Sequence, residues 1–281
     1  MEAIRQYLIT ADDYGMCPEV DSAIERLAER GVLSTTNVLM NFGTDFSHVP
    51  IRSYPRFSVG LHWNVTTGFP VTEVSKIRTL LDGAGRFLSI NAFRRAFKKH
   101  EINTDELALE LQNQYDMFKA EFGYPDYWNT HENSSLYPAE FKVFEAVALK
   151  NGIKATRNFQ RVYIDYDLCH GTLRKLREFA VKSYVNVKYG VIERKKFTMP
   201  EGRIVTFVNI SKTDINRMKL GLAKSKKHSI EIVIHPATSG DNPLFGNIST
   251  DRVAEFCSYM SDEFLALFEN ESSRIVSFNE L

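Results

Sequence analysis

The 281-residue sequence has only three cysteines, Cys17, Cys169 and Cys257. Their odd number and wide spacing exclude a disulfide framework and a zinc-thiolate cluster, and fit a reducing compartment. No apolar run approaches the roughly 20 residues that span a bilayer. The first residues, "MEAIRQYLITADD", lack the longer apolar core and cleavage site of a signal peptide. Neither charge is in excess: 35 Lys+Arg meet 35 Asp+Glu, so nothing draws the chain to nucleic acid or an anionic membrane. There is no glycine-rich phosphate loop, repeat, low-complexity tract or Gly/Pro/Ser linker. A single cytoplasmic domain over residues 1–281 is the expectation, with no nucleic-acid or membrane partner; a homodimer is left open.

What the chain does contain is an alternation of strands and helices. "PEVDSAIERLAERG" places Val20, Ile24 and Leu27 at helical spacing, between Pro18 in the first turn and Gly31 at the end. "STTNVLMN" and "RFSVGLHWNV" read as strands. Residues 66–100 read as irregular, with a turn at "LLDGAGRF". The spacing of Leu107, Leu111, Tyr115, Phe118 and Phe122 predicts a helix with Thr104 as N-cap and Gly123 as its stop. "DYWNTHEN" (strand), "PAEFKVFEAVALKNG" (helix) and "IKATRNF" (strand) follow. The basic, aromatic-rich stretch 174–196 reads as a solvated helix and hairpin rather than a nucleic-acid patch. "GRIVTFVN", "DINRMKLGLAKSKK" and "SIEIVIHP" read strand, helix, strand; one long helix over 251–269 and a strand "RIVSF" end the chain. Such alternation predicts a parallel α/β architecture. The length suits a distorted, TIM-like (β/α) barrel, with a doubly wound open sheet as the alternative.

The titratable residues fall at strand ends. Asp12 and Asp13 close the first strand, His62 lies near the end of "FSVGLH", His131 near the end of "YWNTH", and His235 closes "SIEIVIH". In a parallel barrel the C-terminal strand ends converge on one rim, where active sites sit. If the first strand is extended through both aspartates, their side chains point to opposite sides. A carboxylate with two imidazoles is a common ligand set for a catalytic divalent metal. A second carboxylate nearby could accept a proton from water, and a late histidine could protonate a leaving amine.

At these residues the sequence resembles the YdjC-like carbohydrate deacetylases, the chitooligosaccharide deacetylase group distantly related to NodB-type polysaccharide deacetylases. The resemblance is carried by "ITADDYG", "ERGVLSTTNVLMN", "FSVGLHWNVTTGFPV", "LLDGAGRF", "THEN", "NGIKATRNF" and "IVIHPA", in that order over nearly the whole chain. It implies a distorted (β/α) barrel and hydrolytic removal of acetate from an N-acetylated amino sugar. By position it implies Asp13, His62 and His131 as metal ligands, Asp12 as general base and His235 as acid. Arg157 matches an arginine lining the family's site. Glu132, beside His131, and Trp63 join it as substrate-facing candidates, Trp63 by stacking on a sugar ring, although packing is its default role. The implied cofactor is one divalent ion, zinc on the two-imidazole argument with magnesium as the alternative. The implied partner is a small N-acetylated saccharide. Two rival expectations are a non-catalytic saccharide binder and a metal-dependent hydrolase of another bond.

The chain departs from the family's pattern around the third ligand. In "NTHENSS" Asn129 stands for an acid, and Asn133 and Ser135 stand for two histidines. Residues that orient ligands rather than bind metal are expected to be the ones altered.

Overall fold

In the computed structural model of the chain, residues 4–47, 51–160, 183–184, 187–188, 193–205, 215–268 and 273–281 are described. The first apolar run is a long strand, β1 (Arg5–Tyr14), buried from Tyr7 onward. After it come α1 (Pro18–Glu29), β2 (Thr35–Val38), β3 (Ser58–Trp63), α2 (Ile90–Lys98), α3 (Thr104–Phe122), β4 (Trp128–Thr130) and α4 (Pro138–Lys150). The chain continues with β5 (Gly202–Val205), α5 (Ile215–Lys224), β6 (Ser229–Ile234), α6 (Ser249–Tyr259), α7 (Asp262–Leu265) and β7 (Ser273–Ile275).

All strand pairs are parallel, and the hydrogen-bonded order is β4-β3-β2-β1-β6-β5, with β7 on the start of β1. Every residue of β2, β3, β4 and β6 is buried, as expected for a parallel sheet covered on both faces. The two ends of this order meet through the stretch expected to be a strand, "IKATRNF". It makes bridges at Ala155 and Thr156 rather than a continuous ladder. On one side Trp128 N donates to Ala155 O; on the other Thr156 N donates to Thr198 O and Arg203 N to Gln160 O. The order therefore runs β1 to β4, across 155–160 to β5, and back through β6 to β1. That circle is a distorted α/β barrel, and it excludes the doubly wound alternative, whose sheet stays open.

The helices follow their apolar stripes. α1 buries Val20, Ala23, Ile24, Leu27 and Ala28. α3 buries Leu107, Leu111, Tyr115 and Phe118, and Gly123 stops it at φ 76. Its N-cap is Asn103, not Thr104: the Asn103 side chain accepts from Asp105 N at 2.8 Å and Glu106 N at 3.4 Å. The region expected to be irregular contains α2, which buries Phe93 alone. The expected long C-terminal helix is two, because Ser261 leaves helical geometry and its Oγ caps α7 by accepting from Phe264 N at 3.2 Å. Most of the basic stretch 174–196 lies outside the described residues. No helix among the described residues is long and apolar enough to cross a membrane.

Candidate active site

The local backbone of β1 sets up the site. Between Ala11 and Tyr14 its pairing with β2 slips, and Asp13 adopts φ 76. This left-handed residue breaks the alternation expected of an extended strand, so Asp12 and Asp13 both face one cavity instead of opposite sides. Gly15 completes the turn at φ 87; a Cβ there would sit 2.7 Å from the Phe46 ring and 2.9 Å from Leu39 O. Its N–H donates to Asp21 Oδ1 at 2.6 Å. Burial, with Glu25 and Glu19 nearby, outweighs that hydrogen bond and pushes the Asp21 carboxyl up to about 7.

The cavity is about 510 Å³ and is lined by Asp12, Asp13, His62, His131, Glu132, Arg157 and His235, among others. These residues arrive from the ends of β1, β3, β4 and β6 and from the 155–160 stretch, as a convergent rim requires. Trp63 does not join them. Its indole is fully buried, packs on Trp128 and Phe144 with ring centroids 5.3 and 5.9 Å away, and donates Nε1–H to Leu111 O at 2.9 Å. Substrate stacking by Trp63 is therefore corrected to a core role. It neighbours His62 in the strand, and alternation turns it to the helix side.

Asp13, His62 and His131 form the one group among the described residues with the composition and spacing to hold a metal ion. Asp13 Oδ1 lies 3.3 Å from His62 Nε2 and 2.9 Å from His131 Nδ1. Ligands about 2.0–2.2 Å from a common cation are separated by roughly these distances, so the donor set fits a divalent ion. The second Asp13 oxygen accepts from Arg252 Nη2 at 2.6 Å. Burial opposes ionisation of Asp13, yet His131, Arg252 and the imidazole hydrogen bonds hold its carboxyl well below the usual range. Burial likewise opposes charge on His131, but Asp13 raises its pKa.

Asp12 sits beside this group in a different setting. It accepts from Arg157 Nη1 at 2.7 Å and Nη2 at 2.6 Å, and from Asn37 Nδ2 at 2.5 Å. Burial again works against the charge, and Arg157 overcomes it, keeping Asp12 ionised far below the ordinary carboxylate value. The far edge of Arg157 pairs with Glu231 at 2.9–3.2 Å. Arg157 thus lines the cavity as expected, while most of its hydrogen-bonding capacity is spent on two carboxylates. His235 Nε2 is 3.6 Å from Asp12 Oδ2. Burial dominates over the two aspartates, and with Arg252 and Arg157 it pushes the imidazole down to about 3. His235 is therefore neutral at pH 7 in the resting site.

The turn after β4 carries strain. Glu132 and Asn133 have φ 51 and 53, and arginines hold them there. Arg94 Nη2 donates to Asn133 O at 3.0 Å, and Arg203 Nη1 to Asn133 Oδ1 at 3.1 Å. Sequence reasoning missed Arg94, Arg203, Arg252 and Asn37. Glu231, a lone charge inside the apolar "SIEIVIH", was a readable signal.

A parallel α/β barrel whose rim gathers a carboxylate, two imidazoles and an arginine-held second carboxylate places the chain among α/β-barrel proteins with a candidate metal site at the strand ends. Within that class, the chain belongs to the YdjC-like family, whose sequence profile matches residues 7–270. It is 29% identical over 183 residues to a chitooligosaccharide deacetylase of Escherichia fergusonii, covering 64% of this chain and 69% of that protein. It is 27% identical over 152 residues to the carbohydrate deacetylase of Homo sapiens, covering 53% and 47%. A chitooligosaccharide deacetylase of Yersinia enterocolitica matches at 27% over 143 residues, covering 50% and 54%. The chain thus spans about half the length of the last two relatives. A structure from Enterococcus faecalis V583, provisionally described as a cellobiose-phosphate cleavage protein, superposes over 99% of both chains with TM-score 0.77. At 19% identity, that likeness shows the shared fold.

Proposed function

We propose that the chain is a metal-dependent carbohydrate N-deacetylase that removes acetate from an N-acetylated amino sugar in a small saccharide or glycan precursor. The observation that carries this reading is the convergence of Asp13, His62 and His131 beside Asp12 and His235 in one cavity. The names of the related deacetylases support the bond and the substrate class. Asp13, His62 and His131 would hold the cation, zinc suiting the two imidazoles better than magnesium. When bound, the cation supplies Lewis acidity toward the acetamide carbonyl and acidifies water at the site. Asp12, ionised and fixed by Arg157, takes the proton of the attacking water. The neutral His235, 3.6 Å from Asp12 Oδ2, receives that proton and delivers it to the departing sugar nitrogen. Its role as acid therefore begins from an imidazole that must first be charged. Glu132 and Arg94 line the cavity wall and would face the bound saccharide.

The test is acetate release from N-acetylated chitooligosaccharides and from sugar-nucleotide N-acetylhexosamines by protein loaded with zinc and by protein stripped with chelator. Release that needs metal and falls at least a hundredfold in Asp12→Asn is expected. Release untouched by chelation, or surviving Asp12→Asn in full, would refute the proposal.

A further inference from the structure

Asn129 stands where two demands meet that one carboxamide cannot satisfy together. Its side chain lies between His62 Nδ1 on one side and the N–H groups of Arg157 and Asn37 on the other. With the oxygen toward His62, the Oδ1–Nδ1 distance is 2.5 Å and Nδ1 donates. The NH2 group is then driven against two other donors. Turned over, Nδ2 donates to His62 Nδ1 at 2.5 Å, and the oxygen accepts from Arg157 Nη1 and Nη2 at 3.1 and 3.0 Å and from Asn37 Nδ2 at 2.9 Å.

A count of donors decides between them for the metal-free protein. A guanidinium has five N–H groups. Asp12 takes one from each Nη of Arg157, and Glu231 takes Nε–H and the other Nη2 hydrogen. One Nη1 hydrogen is left over, the Asn129 side chain lies 3.1 and 3.0 Å from Nη1 and Nη2, and only the turned-over carboxamide presents an oxygen to them. In that arrangement His62 Nδ1 must accept. The imidazole proton then sits on Nε2, 3.3 Å from Asp13 Oδ1, a satisfied contact. That same proton occupies the lone pair a metal would need.

We propose that Asn129 is a positioning residue that ties metal occupancy to a side-chain flip. Metal-free, it locks His62 in the Nε2–H tautomer; metal binding moves that proton to Nδ1 and turns the carboxamide over, away from Arg157 and Asn37. The inference rests on reading Asp13, His62 and His131 as the metal site. A carboxylate at 129 would accept from both sides and need no flip, so Asn129→Asp should bind zinc about 10- to 100-fold more tightly than wild type, the usual range for groups that orient a ligand.

The experiment pairs competition titration of zinc with long-range 1H–15N correlation of histidine-labelled protein, on wild type and Asn129→Asp. Metal-free wild type should show His62 as the Nε2–H tautomer and metal-free Asn129→Asp as Nδ1–H, with tighter zinc binding in the variant. The wild-type spectrum alone, with and without zinc, keeps the test alive if the variant fails to fold. A metal-free wild type already protonated at Nδ1 overturns the flip even if added negative charge tightens binding. Absence of stoichiometric zinc in both proteins, whatever the tautomer, overturns the metal reading and the coupling with it.

Discussion

Replacing Arg157 with methionine should convert a compensated buried charge network into an uncompensated one. Arg157 and Asp12 are each 3% exposed and Glu231 is 0% exposed, so water cannot take over the lost hydrogen bonds. The guanidinium spans both carboxylates at 2.6–3.2 Å. Removing one partner of a buried ion pair costs about 3–5 kcal/mol, because the other charge stays buried and alone. Methionine fills much of the arginine stem's volume, so little of this is cavity cost. A loss of about 4 kcal/mol at pH 7.5 is a large share of a typical total of about 5–15 kcal/mol. The pH dependence gives the sharper check. In wild type the Asp12 pKa is depressed in the fold, so its contribution is present above the unfolded value and lost as pH falls. Without Arg157, burial, the largest influence on Asp12, outweighs Asn37 and the neighbouring imidazoles and raises its folded pKa above the unfolded one. Stability of the variant then falls as pH rises from about 4. The two curves should converge on acidification, the gap at pH 4.5 being less than half that at pH 7.5. Urea denaturation of chelator-treated protein at both pH values measures this. A gap below 1 kcal/mol at pH 7.5, or one independent of pH, would refute the reasoning.

Asp21→Asn should stabilise the protein above neutral pH. A folded pKa raised to about 7 means that stability falls as pH rises from about 4 to 7, and asparagine removes that fall while still accepting from Gly15 N. With a discount for its partial exposure, the gain at pH 8 is about 1–2 kcal/mol by urea titration, and equal stability at pH 5 and 8 in wild type would contradict it. Gly15→Ala combines φ 87 with a 2.7 Å clash on Phe46, and should cost about 2 kcal/mol or more by thermal unfolding and displace Asp12 and Asp13. Trp63→Phe should lower stability by about 1–3 kcal/mol while leaving the KM for saccharide unchanged; a raised KM at unchanged stability would return Trp63 to the substrate surface.

Much of the barrel was legible because its strands are short apolar runs ending in chemistry: Ile9 into Asp12-Asp13, Leu61 into His62, Ile234 into His235. α1 and α3 announced themselves through stripes that the core buries. α2 did not, because Phe93 is its one buried residue amid arginines and lysines, and periodicity needs a stripe to be visible. The split of the C-terminal helix at Ser261 hung on a hydroxyl choosing Phe264 N as its partner. Arg252 reads as an ordinary helical surface residue. Only the fold reveals that it is 3% exposed and bonded to Asp13 across 239 positions of sequence. Long-range ion pairs leave no periodic mark.

In the proposed mechanism, one backbone irregularity lets the adjacent aspartates take two functions. Like charges on neighbouring residues would ordinarily suppress each other's ionisation. Here the left-handed Asp13 turns both carboxylates into the same cavity, which by itself would worsen the conflict. Separate arginines resolve it: Arg157, from the stretch that closes the barrel, clamps Asp12, and Arg252, from α6, takes one oxygen of Asp13. The other Asp13 oxygen faces the two imidazoles, whereas both Asp12 oxygens are turned to Arg157. On the proposed reading, ligand geometry is therefore open to Asp13, and Asp12, charged and 3.6 Å from His235, is left for proton transfer. The proposed division of labour follows from which arginine reaches which oxygen, and on that reading neither carboxylate could exchange roles with its neighbour without rebuilding the bulge between them.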